Sequence, residues 1–105
     1  MIQRIEIIIN HGAIEETKAL ILCPENTCQI NKNHYKVTEE WIQELLNIIY
    51  LWKKEYGSDS KIDSEEFQVV VKAEDGITKF HGKGIFPHNY EMLKELLEDV
   101  YVESA

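Results

Sequence analysis

Two runs of alternating apolar and polar residues, joined by a glycine-containing turn, constrain this chain most. In Phe67–Ala73, Phe67, Val69, Val71 and Ala73 fall on one side, and Gln68, Val70 and Lys72 on the other. A period of two is the signature of an extended strand with one buried face. Asp75-Gly76 is a hairpin signal in which both turn positions are expected at positive φ. On the return, Phe80, Gly82, Gly84 and Phe86 share a side, while Lys79, His81 and Lys83 share the other. Pro87 cannot continue a central strand. Asn89 is then placed to cap a helix with the stripe Tyr90, Leu93, Leu96, Leu97, Val100 and Tyr101.

A looser version of this unit opens the chain. Ile5, Ile7 and Ile9 alternate with Arg4, Glu6, Ile8 and Asn10. His11-Gly12 supplies a bend, and Thr17–Cys23 reads as a returning central strand because both of its faces are largely apolar. Asn31-Lys32-Asn33 reads as a turn between short strands at Thr27–Ile30 and His34–Val37. Thr38 caps a helix over about residues 39–56, with Trp41, Ile42, Leu45, Leu46, Ile48, Ile49 and Trp52 as its stripe. Lys53 and Lys54 suit its last turn and Gly57 the residue after it. Ser58–Glu66 is read as a mobile polar linker.

Both hairpins end alike, in Cys23-Pro24-Glu25-Asn26 and Phe86-Pro87-His88-Asn89. The expected architecture is therefore α+β. It is a single domain over residues 1–105, with an antiparallel β-sheet of four to six strands. Two α-helices cover one face, and the whole is built from pseudo-duplicated hairpin–helix units.

Charge narrows the function classes. The net charge is −8, and the excess lies on the predicted helices and the linker, since residues 1–37 are balanced. Such a surface repels nucleic acid and anionic membrane and attracts a basic partner. No apolar run approaches the roughly 18 residues of a membrane span, and the charged start is unlike a leader peptide. A cytoplasmic protein is expected.

Motifs for catalysis are missing. Cys23 and Cys28, with two of His11, His34, His81 and His88, are the one metal constellation to weigh, but Cys-x4-Cys is at the edge of zinc spacing. Free cysteine is ordinarily a small core hydrophobe. A Cys–His nucleophile using His34 would lack a marked orienting group and oxyanion site. Gly82-Lys83-Gly84 lies inside a strand, so two small residues under a closely packed neighbour are preferred to a phosphate cradle. The paired carboxylates Glu39/Glu40, Asp63/Glu65/Glu66 and Glu98/Asp99 read as solvated. No cofactor is expected.

The functional expectation is a non-enzymatic, acidic protein-binding module. It would act as an inhibitor of a basic, nucleic-acid-handling partner, in the manner of phage-encoded antagonists of host defence and of toxin-immunity proteins. Its candidate contacts are the carboxylates Glu39, Glu40, Glu44, Asp63, Glu65 and Glu66. A cationic strip, Lys72, Lys79, His81 and Lys83, is expected on a sheet face left open, with Val70, Ile77 and Ile85 among the cations. Ile8, and either Leu20 and Leu22 or Ala19 and Ile21, would add to that face. The alternatives are a homodimer or larger homo-oligomer formed through the open face and, behind it, a small Cys/His metal protein or enzyme.

Overall fold

The structure, a computed structural model, describes residues 2–10, 16–58 and 65–104. Seven strands form one sheet: β1 (Ile2–Asn10), β2 (Glu16–Leu22), β3 (Thr27–Ile30), β4 (Asn33–Lys36), β5 (Glu55–Ser58), β6 (Glu66–Ala73) and β7 (Gly76–Lys83). Helix α1 (Glu39–Ile49) lies between β4 and β5, and α2 (Tyr90–Ser104) follows β7. The strand order is β4-β3-β2-β1-β6-β7-β5. Every pairing is antiparallel except that of β5 with β7. The expected α+β class stands, but the sheet is mixed and has seven strands, where an antiparallel sheet of four to six was expected.

The alternation read from the sequence decides which side is buried. Ile5, Ile7, Ile9, Ile21, Cys28, Ile30, Phe67, Val69, Val71 and Phe80 point to one face and are almost wholly enclosed. The apolar stripes of α1 and α2 join the same cluster, so both helices lie on that face. At the centre, Ile7 of β1 pairs with Val69 of β6, flanked by Ile5 with Val71 and Ile9 with Phe67. Trp41 ties the helices together by donating its indole N–H to the Leu96 carbonyl at 3.1 Å, inside the core.

Three local departures have identifiable causes. First, α1 ends at Ile49 with Tyr50 as C-cap, not near residue 56. Trp52 turns inward to meet Phe67 and Phe80 edge-on, at centroid distances of 5.4 and 6.3 Å. That buried indole pulls the chain back to the sheet, where Glu55–Ser58 becomes β5 beside β7 and takes the place of the expected Gly57 helix end and the start of the linker. Second, Asn89 precedes α2, but its side chain is engaged elsewhere. It accepts from Trp52 Nε1 and donates to the Ile48 carbonyl, bracing the end of α1. Third, Ala73 pairs with Gly76, so the hairpin loop is Glu74-Asp75 and Gly76 alone carries a positive φ, of 150°. The Thr38 cap is present as expected, its hydroxyl accepting from Trp41 N at 3.1 Å. The expected bend at His11-Gly12 and the side chain of Tyr101 lie outside the described residues.

Candidate functional site

Because antiparallel partners share a face, the pairing registers map the uncovered side of the sheet. One row crosses from β4 to β7 as Lys36, Thr27, Leu22, Arg4, Lys72 and Ile77. The next reads His34, Gln29, Leu20, Glu6, Val70 and Lys79. A third runs from Lys18 through Ile8 and Gln68 to His81, and reaches Glu55 on β5. The last holds Glu16, Asn10, Glu66 and Lys83.

The register settles the alternative left by the sequence: Leu20 and Leu22 are on this face, while Ala19 and Ile21 are in the core. Ile8, Leu20, Leu22 and Val70 are half-buried there, and Ile77 is 59% exposed. A depression of about 320 Å³ lies between β1, β2 and β3, edged by Glu6, Ile8, Lys18, Leu20 and Gln29. Ile85 is not part of the face. The chain turns at Gly84, with φ 72°, and carries the Ile85 carbonyl over the core side of Gly82.

Lys72, Lys79, His81 and Lys83 thus share one face, but His81 is not a free cation. Its Nδ1 meets Glu55 Oε1 at 3.0 Å and its Nε2 meets Glu66 Oε2 at 2.8 Å. Hydrogen bonds to the Glu55 carboxylate and then to that of Glu66 raise its pKa above the ordinary imidazole value. The same contact holds Glu66 below the usual carboxylate range, chiefly through its bond to His81. Through these two contacts His81 clasps the edge strand β5 to the β6–β7 hairpin.

The six carboxylates expected to act together are dispersed. Glu39, Glu40 and Glu44 are exposed on α1, on the opposite side of the molecule from the uncovered face. Glu65 is only partly exposed: it accepts from the Tyr90 hydroxyl at 2.6 Å and pairs with Lys94 at 3.0 Å. Burial, aided by Glu65, pushes the Tyr90 pKa well up. Glu66 is likewise held, by His81, on the sheet face. Asp63 lies outside the described residues. These pairings depend on register and on which side chain reaches which, and sequence spacing alone carried no sign of them.

Among the described residues the cysteine and histidine candidates are not assembled, and His11 lies outside them. Cys28 pairs with Tyr35 and points into the core, whereas His34, one residue away on β4, pairs with Gln29 on the uncovered face. Burial pushes the Cys28 thiol up to about 12. The Cys23 thiol is also raised, by burial and then by Glu25. Neither is poised as a thiolate nucleophile. Among the described residues no group of three or more His, Cys, Asp or Glu is placed to hold a metal, and no helix is long and apolar enough to cross a membrane.

Gly82-Lys83-Gly84 has a packing role. A Cβ on Gly82 would stand 2.6 Å from Phe67 Cε1 and 2.7 Å from the Ile85 carbonyl oxygen. Phe67 is fully buried and ringed by Trp52, Tyr56, Phe86 and Tyr90, so only glycine fits opposite it.

The chain matches no protein-family model, and no curated protein or solved structure is detectably similar to it.

Proposed function

We propose that this protein is a non-enzymatic protein-binding module whose helix layer engages a basic surface of a partner, as an inhibitor of a nucleic-acid-handling protein would. The observation that carries this reading is the separation of charge between the two sides of the sheet. The exposed described side chains of α1 and α2 include Glu39, Glu40, Glu44, Glu91, Glu95, Glu98 and Asp99, with no exposed cation among the described residues of either helix. Arg4 and most of the lysines of the strands sit on the opposite face. A chain of net charge −8 that keeps its strand cations on one side concentrates its negative field on the other. Such a field steers a basic partner and speeds encounter.

Capture from the native host at low and raised salt tests this. The expected result is a basic protein whose retention falls as salt rises and is lost with Glu39→Lys/Glu40→Lys/Glu44→Lys. Equal retention by that variant would refute the proposal.

The finer reading of the fold, two copies of one hairpin unit, has support in the central ladder. Matching Ile5, Ile7 and Ile9 to Phe67, Val69 and Val71 exchanges the ladder pairs around Ile7 and Val69, as a twofold relation between equivalent hairpins would.

A further inference from the structure

We infer that the uncovered sheet face holds an acidic, aliphatic-bearing segment of a partner protein, with Lys72 and Lys79 selecting its charge. This contact lies opposite the helix layer and does not depend on the basic partner proposed above. The face has already matched its own carboxylates. Glu6 lies 3.5 Å from Arg4 Nε, and Glu16 lies 3.2 Å from Lys18 Nζ. Glu55 and Glu66 are both on His81. Lys36, Lys72 and Lys79 make no ion pair among the described residues. Among the described residues, what is left unsatisfied on this side is therefore cationic, although the molecule as a whole is acidic.

The surplus lysines are interleaved with aliphatic side chains. Lys72 stands opposite Ile77, and Val70 opposite Lys79. Along each strand the two types are two residues apart, giving a checkerboard of two lysines and two aliphatics. Leu20, Leu22 and Ile8 add apolar side chains on β2 and β1, with the Arg4–Glu6 pair standing between the two leucines and β6. Seven strands at about 4.8 Å make a face roughly 30 Å across, the scale of a standard protein contact. An uncovered apolar surface of this kind marks an interaction site. Acidic groups on the occupant would meet the lysines while its aliphatics covered Val70 and Ile77.

Nucleic acid fits poorly. The rows contain no Phe, Tyr or Trp on which bases could stack, and carboxylates are distributed among the cations. A second copy presenting its own sheet face would bring like charges together.

The test uses the intact protein, isotopically labelled for amide NMR, with three synthetic peptides: alternating Glu and Leu, alternating Lys and Leu, and alternating Glu and Ser. The Glu–Leu peptide is expected to shift the amides of Val70, Lys72, Ile77 and Lys79 and to bind more weakly as salt rises. Lys72→Glu/Lys79→Glu should weaken it by about tenfold or more, with Lys72→Gln/Lys79→Gln between the two. All four substitutions are at exposed positions, and an unchanged amide dispersion verifies the fold. Equal binding of the Lys–Leu or Glu–Ser peptide overturns the inference, as do shifts confined to α1 and α2. Self-association without peptide that is abolished by the double variant would also overturn it, assigning the face to a second copy.

Discussion

Gly82→Ala is the sharpest test of the packing at the β7 end of the sheet. The new methyl carbon would lie 2.6 Å from Phe67 Cε1, roughly 0.8 Å inside ordinary carbon contact as set by the 3.4 Å lower limit. The ring cannot swing away, because Trp52 and Tyr90 stand with centroids 5.4 and 5.2 Å from it. Nor can the strand simply tilt, since the Ile85 carbonyl closes the second side at 2.7 Å. Overpacking a tight core costs about 1–3 kcal/mol, and this site belongs near the upper end. Loss of glycine freedom in the unfolded chain returns about 0.4–1 kcal/mol. The expected net loss is about 2 kcal/mol, or a fall of roughly 8–16 °C in Tm for a domain of this size. Thermal and urea unfolding would measure it. Phe67→Leu should cost less in the Gly82→Ala background than alone, with a coupling above about 0.5 kcal/mol. A Tm within about 2 °C of the parent, well short of the shift expected for a domain of this size, would refute the geometry.

The His81 clasp makes stability depend on pH in two windows. The raised His81 pKa contributes stability that is complete below its unfolded value of 6.5 and is lost as pH rises through the folded value. The lowered Glu66 pKa contributes above 4.5 and is lost as pH falls through its own folded value. Urea midpoints should therefore fall on the alkaline side, and His81→Gln should flatten that slope; with the side chain 37% exposed, the effect is held to about 0.5–1 kcal/mol. An unchanged slope in the variant would rule out the clasp as its source. Tyr90→Phe removes the hydroxyl from Glu65 and should cost about 1.5–3 kcal/mol in urea unfolding, whereas a neutral result would mean the bond is absent in solution. Native Cys28 should resist a thiol reagent at neutral pH and react only on unfolding, so rapid labelling of that residue would contradict its burial.

How much was legible beforehand varies by element. Alternation revealed β1, β6 and β7, because the buried face of a strand writes itself into every second residue. It also anticipated an uncovered face carrying Lys72 and Lys79. The C-terminal end of α1 was misread because Trp52 continues the helical stripe while serving a different packing site. β5 left no pattern: Glu55-Tyr56-Gly57-Ser58 is short and owes its place to Trp52 on one side and His81 on the other. The complete clasp was invisible: the β6–β7 register sets Glu66 diagonally beside His81, but Glu55 joins them only through the parallel pairing at the sheet edge.

The central ladder also has a bearing on how the chain matures. Ile7 must wait for Val69 to be synthesised, several seconds later at roughly 5–20 residues per second. Until then β1, with Ile5, Ile7 and Ile9, offers an unpaired aliphatic edge of the kind that recruits other chains. The middle of the finished sheet thus stays open until β6 has been made. Neither hairpin is a self-sufficient fragment, and a chain halted before Phe67 would be an aggregation hazard rather than half of a working protein.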